Sequence, residues 1–169
     1  MNFLSKIKII GTLTIHVRDG KTGHILRTIV KENTITYNAG DVVRALLAQR
    51  ATDDAATELS LGSMRFGTSS TTPTRNDVNL ISEVGGTREQ LQDVNKVDGI
   101  SGEISLQATL DTTEANGNTL QEAGLFTTGT LWSNDVGGTT YMFARQIHSA
   151  IPKTSSISLD YNWKLQFTT

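Results

Sequence analysis

The chain has 169 residues, a formal net charge of −2 at pH 7 and no cysteine. That length suits one well-cored domain, and the balanced charge provides no global basic field that would attract nucleic acid. Without cysteine there is no disulfide framework, no thiolate nucleophile and no cysteine-based zinc site. The apolar runs are too short for a membrane span or a signal peptide, so we expect a soluble protein made inside the cell.

The N-terminal segment predicts a β-hairpin. Residues 6–18 alternate between apolar and polar side chains, with an interruption at Gly11. A glycine-rich connection over residues 19–23 is typical of hairpins, and residues 25–30 return as a second strand. Residues 34–37 favour a short third strand.

One helix is predicted near residues 39–50. Asn38 can cap its first turn, and Asp41 places a negative charge where the helix dipole favours it. One buried stripe at helical spacing is expected from Val42, Val43, Leu46 and Leu47.

The rest of the chain predicts further strands joined by polar loops. Residues 67–79 form a loop, because Pro73 cannot extend a central strand and no apolar residue anchors the segment. Residues 80–84 favour a short return element, and residues 85–98 fit either a short helix or an edge strand. A second loop is expected over residues 127–140. Strands are predicted over 59–66, 100–110, 120–126 and 141–151, for about seven to nine in the whole chain.

The last strand carries the clearest pattern of the sequence. Residues 157–167 alternate strictly, which buries one face of a strand and wets the other. Such long one-sided strands predict a mainly β protein: a single antiparallel β-sandwich over residues 1–169, jelly-roll-like, with one short helix. The candidate core or interface side chains of this strand are Ile157, Leu159, Tyr161, Trp163, Leu165 and Phe167.

The aromatic side chains of this strand can be interpreted in two ways. Tyr161, Trp163 and Phe167 share one face with aliphatic residues, which favours a core or a subunit interface. The alternative is a sugar-stacking platform.

Residues with catalytic or metal-binding chemistry do not form a recognisable motif. His16, His24 and His148 are not at ligand spacing, and His16 has the strand parity of solvated neighbours. The glycines lack the strand–loop–helix context of phosphate binding, and the serines lack nucleophile-elbow spacing. Turn chemistry explains two oxygen-rich segments, Asp53-Asp54 and residues 114–118, better than a calcium ion does. We therefore expect no enzyme activity, no cofactor and no small-molecule ligand.

Two charged residues interrupt otherwise apolar strands. Glu122 lies in Leu-Gln-Glu-Ala-Gly-Leu-Phe, and Arg145 lies in Tyr-Met-Phe-Ala-Arg-Gln-Ile. If the two strands are neighbours, the charges can pair across the sheet or across a subunit contact. The sequence slightly favours the alternative of two independent, solvated charges.

Several segments, in order, resemble a known group of proteins. Thr-Tyr-Asn-Ala-Gly precedes the helix, and Met-Arg-Phe-Gly-Thr-Ser-Ser-Thr-Thr-Pro-Thr-Arg-Asn-Asp-Val follows it. Later come Glu-Ala-Gly-Leu-Phe, Ala-Arg and Pro-Lys-Thr within residues 122–154, the most specific part, and then the alternating strand. This order resembles small virion structural proteins of tailed bacteriophages, of the tail, neck and head-decoration types. Residues 85–98 depart from it by being more highly charged.

The resemblance implies a non-enzymatic β-domain that self-associates and docks on other virion proteins of the capsid, portal, neck or tail. It implies a location in the virion after synthesis in the host cytoplasm, without nucleic-acid or membrane partners. The alternative is a receptor- or carbohydrate-binding module of a tail fibre, which predicts exposed aromatic residues near residues 67–79 or 127–140. Only Trp132 lies in those loops, which weakens this alternative.

Overall fold

The structure is a computed structural model that describes residues 8–49, 60–85, 89–90, 92–95, 102–128 and 140–168. The elements in these ranges are β1 (Lys8–Asp19), β2 (Ile25–Glu32), β3 (Thr34–Ile35), α1 (Asn38–Gln49), β4 (Ser60–Gly67), β5 (Glu89–Gln90), β6 (Gln92–Asn95), β7 (Glu103–Leu110), β8 (Thr119–Thr128), β9 (Met142–Pro152) and β10 (Ile157–Thr168).

The strands form two five-stranded sheets. The first sheet has the order β2-β1-β10-β7-β6, and the second has the order β3-β9-β8-β4-β5. Neighbouring strands within each sheet pair antiparallel. The predicted mainly β, antiparallel sandwich with one short helix is therefore confirmed. The longest pairing joins the first and last strands, from Lys8 opposite Thr168 to Asp19 opposite Ile157.

The core lies between the two sheets. In β10 the side chains of Leu159, Tyr161, Trp163 and Leu165 are fully buried, while the residues between them are partly or fully exposed. Ile157 and Phe167, at the two ends, are partly buried against the same core. The Tyr161 ring meets Phe66 of β4 with ring centroids 4.4 Å apart, so the alternating face of one sheet packs on the other sheet.

Gly11, the predicted interruption in β1, is explained by its neighbour in the next connection. The Asn33 side chain lies directly over Gly11, where a Cβ atom would collide with the amide. The Asn33 N–H donates to the Gly11 carbonyl at 2.9 Å. Glycine thus allows the backbone after β2 to stay against β1.

The remaining predictions differ from the structure mainly at element ends. The middle strand begins at Glu103 and not at residue 100, and residues 80–84 contribute one isolated bridge, between Gly67 and Glu83. Within residues 85–98 the described part forms the edge strands β5 and β6, so the helix alternative is wrong there. Ten strands lie within the described residues; β3 occupies the first two residues of the predicted strand 34–37, and residues 85–98 contain two short strands, β5 and β6. Asp53, Asp54 and Trp132 lie outside the described residues.

Among the described residues, no helix has the length and apolar character needed to cross a membrane.

Candidate interaction site: a clamped loop on the second sheet

The most unusual part of the second sheet is the segment that follows β4. Residues 68–84 contain no strand beyond the single bridge of Glu83, yet the backbone groups of Thr71, Ile81 and Ser82 bond to side chains of the sheet. The two ends of the segment are joined by a hydrogen bond from the Thr68 N–H to the Ser82 carbonyl at 2.9 Å. The Val84 N–H donates to the Phe66 carbonyl of β4, also at 2.9 Å. We call residues 68–84 the clamped loop.

The clamp begins with Glu122 of β8 and Arg145 of β9. Their strands are neighbours, with Glu122 opposite Ile147 and Gly124 opposite Arg145, so the two charged residues are diagonal to each other. Arg145 donates from Nε to Glu122 Oε2 at 2.9 Å, and its Nη2 lies 2.8 Å from the same oxygen in an ion pair. Both side chains have no exposed surface. The structure thus brings the two charges together, and the alternative of independent, solvated charges is wrong.

The same two side chains hold both ends of the loop. Arg145 Nη1 donates to Asp77 Oδ2 at 2.8 Å, and Nη2 donates to the Thr71 carbonyl at 3.0 Å. Glu122 accepts the backbone N–H of Ser82 at 2.8 Å and that of Ile81 at 3.2 Å. A buried charge needs such partners, because leaving water costs several kcal/mol per ion.

Asp77 completes the cluster from within the loop. Its side chain is 14% exposed, and it also accepts the Thr74 N–H at 3.0 Å and the Thr74 hydroxyl at 2.7 Å. Partial burial raises the pKa of the Asp77 carboxyl, but the bonds from Thr74 and Arg145 outweigh that effect and hold the pKa below its usual value. Asp77 therefore stays ionised and paired with Arg145 at neutral pH.

Small and apolar residues of the Glu-Ala-Gly-Leu-Phe segment make room for the loop. A Cβ atom on Gly124 would lie 2.7 Å from the Phe126 ring and 2.9 Å from Leu80, and one on Gly67 would collide with the Glu122 carboxylate. Leu80 packs with Phe126 and Met142 in a small cluster of its own. The segment most specific to the resemblance is thus built around the attachment of this loop.

Sequence reasoning missed three anchors of the loop. Asp77 lies in the stretch 67–79, which the sequence predicts as a loop without an apolar anchor, and Leu80 begins the segment predicted as a short return element. Arg65 is also buried; its guanidinium lies 4.1 Å from the centre of the Phe126 ring and 3.7 Å from Glu83. The sequence signal that points to Arg65 is that it is a single arginine in an apolar strand, as Arg145 is.

The oxygen-rich turn at residues 114–118 already holds a cation of the chain itself. Lys153, 1% exposed, donates from Nζ to Asn116 Oδ1 and to the Thr154 carbonyl, both at 3.1 Å. Burial lowers the pKa of Lys153, an effect that the carboxylates of Asp111 and Glu114 oppose. Over the described residues, histidines and carboxylates form no group of three or more that would hold a metal ion.

The remaining sequence candidates are structural. Tyr161 and Trp163 are fully buried and therefore unavailable to stack on a sugar. His16 shares a hydrogen bond with the Thr28 hydroxyl at 3.0 Å on the outer face of the first sheet, and His24 is exposed.

Exposed apolar side chains are concentrated at the clamped loop and at β2. Val78 and Ile81 of the loop are 60% and 57% exposed. Tyr37 is 63% exposed, and its backbone N–H donates to the Arg75 carbonyl of the loop at 2.9 Å. Loops that a scaffold holds in place commonly carry binding residues, and exposed apolar side chains can contribute contacts there. The clamped loop is therefore the candidate interaction site.

Comparison of the chain with protein-family models, with curated proteins and with solved structures finds no match. The site is therefore interpreted from its own residues and geometry.

His148 of β9 is a further buried titratable group. It is 5% exposed, and its Nδ1–H donates to the Ser149 carbonyl at 3.0 Å. That tautomer leaves Nε2 to accept from the Tyr161 hydroxyl, 3.4 Å away. The pKa of His148 is lowered to about 4, chiefly by burial; the hydrogen bond to Ser149 and the charge of Glu122 oppose this effect, and the charges of Arg27 and Lys31 add to it.

We expect Glu122→Gln to lower the free energy of unfolding by about 3–5 kcal/mol, because it removes the fully buried carboxylate that pairs with Arg145 and leaves this buried cation with Asp77 as its remaining carboxylate partner. Urea denaturation followed by circular dichroism measures this loss. The matched control is Glu103→Gln, which breaks the more exposed Glu103–Lys164 pair and should cost less than about 1 kcal/mol. Equal losses in the two variants would contradict the clamp.

We expect the stability of the wild type to fall as the pH is lowered from about 6.5 to about 4, since the unfolded chain takes up a proton on His148 that the folded chain refuses. The loss approaches about 3 kcal/mol over that window. His148→Gln should flatten this part of the pH profile, while His16→Gln should retain it. If His148→Gln leaves the pH profile of stability unchanged, His148 is not the cause of this loss of stability.

Proposed function

We propose that this protein is a non-enzymatic structural protein of a tailed-bacteriophage virion, which decorates or joins the capsid, neck or tail through protein–protein interfaces. The observation that carries the proposal is the clamped loop, a long irregular segment that a buried ionic cluster fixes to the second sheet while its apolar side chains stay exposed. Three of the segments behind the resemblance contribute to this clamp: the long segment that ends at Val78, Glu-Ala-Gly-Leu-Phe, and Ala-Arg.

A fixed loop suits docking for a physical reason. Ordering a flexible segment on binding costs free energy, and a loop already held by Arg145 and Glu122 avoids that cost. Val78 and Ile81 are each more than half exposed. Covering such side chains contributes about 1.5–3 kcal/mol each when burial is complete. The loop thus offers a preformed apolar contact to a partner protein.

The charged groups of the cluster serve structure. Glu122 and Asp77 accept hydrogen bonds from Arg145 and from the loop, and Arg145 bonds to both carboxylates and to the Thr71 carbonyl. Groups that are bonded to one another in this way position a surface. We therefore assign the cluster to assembly and not to turnover.

Particles assembled with a variant of the protein test this proposal. We expect the wild type in purified, infectious particles at a fixed copy number, measured by quantitative mass spectrometry. The double variant Val78→Asp, Ile81→Asp should keep the wild-type melting temperature but be depleted from particles at least tenfold. The control is Gln107→Asp, on the outer face of the first sheet. Absence of the wild type from particles would overturn the proposal.

A second candidate is a receptor- or carbohydrate-binding module, which Tyr37 favours. This exposed aromatic residue is bonded to the clamped loop, a position that the sequence-based search for aromatic residues missed. A tyrosine ring can stack on a sugar. Binding to a glycan array that Tyr37→Ala abolishes would support this candidate over docking on a virion protein.

A further inference from the structure

The second concentration of exposed apolar side chains lies on β2, the outermost strand of the first sheet. No described strand pairs with its outer side. Seven of its eight residues are exposed, and only Ile29 is buried. A strand of this length at the edge of a sheet presents unpaired N–H and C=O groups, to which a further strand can bond.

The hydrogen bonds of β2 define which of its backbone groups are free. The Asn33 N–H points to β1, where it donates to the Gly11 carbonyl. Because backbone groups alternate along an antiparallel strand, residues 27, 29 and 31 also point to β1. The N–H and C=O groups of Thr28, Val30 and Glu32 therefore point away from the sheet.

We propose that two copies of the chain pair through β2 in antiparallel fashion, with Val30 opposite the Val30 of the second copy. This inference goes beyond the proposed function and does not depend on it. The two first sheets then join into one continuous sheet about a twofold axis that passes beside Val30. The side chain of Val30, 59% exposed in the single chain, is covered by its own copy.

The positions of the charged residues and of the β-bulge favour this register over the other registers in which two copies could pair about a twofold axis. Centring the axis on Ile29 places Arg27 opposite Lys31 of the other copy, and centring it on Lys31 or on Glu32 places two like charges face to face. Like charges directly opposite each other destabilise a sheet. Centring it on Thr28 extends the pairing into the β-bulge near the start of β2.

The Val30-centred register avoids each of these conflicts. Thr28 then lies opposite Glu32, and Ile29 lies opposite Lys31, so no two like charges meet. The free groups of Thr28, Val30 and Glu32 are those that a hydrogen-bonded antiparallel pair uses. The β-bulge and the basic residues Arg27 and Lys31 disfavour the other registers. As a result, β2 pairs in one register and forms a closed dimer.

Single cysteine variants test the register directly, because the chain has no cysteine of its own. In the proposed dimer the two Val30 Cα atoms lie about 5.5 Å apart, within the range of a disulfide. The two Thr28 Cα atoms lie more than about 13 Å apart, four residues along the strand. Under mild oxidation Val30→Cys should give a covalent dimer on a non-reducing gel, and Thr28→Cys should give at least tenfold less.

The molecular mass of the protein in solution provides a second test of the dimer. At tens of micromolar we expect the wild type to have twice the chain mass of 18.3 kDa by sedimentation equilibrium. Val30→Lys should weaken self-association at least tenfold and keep the melting temperature of the dissociated chain. Val78→Lys, a substitution at an equally exposed valine of the clamped loop, should leave the dimer intact.

A monomeric wild type, or a cross-link that forms through Thr28 in preference to Val30, overturns the proposed dimer. Neither result would contradict the proposed function, which is tested by whether the protein is incorporated into virus particles. Conversely, a Val30 cross-link in a protein that is absent from particles would keep the dimer and overturn the virion role.

Discussion

Arg145 has no exposed surface, and its charge remains in the interior because Glu122, Asp77 and the Thr71 carbonyl accept its hydrogen bonds. Two of these three partners belong to the clamped loop. The buried charge is stable only when the loop lies in place, since removal of one partner leaves an uncompensated ion in a dry environment. The position of the loop is thus coupled to the stability of the second sheet.

This coupling explains how an irregular segment can serve as an interaction surface. Loops without regular structure are ordinarily among the first parts of a protein to open. Here the backbone N–H groups of Ile81 and Ser82 bond to a carboxylate that is itself fully buried. The loop is fixed to the second sheet and β2 belongs to the first, so the proposed docking contact and the proposed dimer contact use different residues.

The fold could be predicted from the sequence where one physical signal dominates. Strict alternation in β10 reflects one dry and one wet face, and the structure buries Leu159, Tyr161, Trp163 and Leu165 accordingly. The two-residue strand β5 has no such signal, because a period of two needs more residues to be visible. Its pairing with β4 depends on residues distant in sequence.

The site could be predicted only in part. Glu122 and Arg145 attract notice because each interrupts an apolar strand, but whether they meet depends on strand register, which the sequence does not display. Asp77 looks like an ordinary turn residue, since aspartate favours turns for local reasons as well. Its bond to Arg145 joins residues 68 positions apart. Likewise, the free edge of β2 follows from sheet order and not from its composition.

Native-state hydrogen exchange at the amides of Ile81 and Ser82 tests the clamp most directly. We expect these two amides to exchange as slowly as amides of β8 and β9 in the wild type. In Arg145→Met they should exchange faster by two orders of magnitude or more relative to the amides of the first sheet. Exchange of both amides at the rate of an open chain in the wild type would contradict a loop fixed by the buried charges.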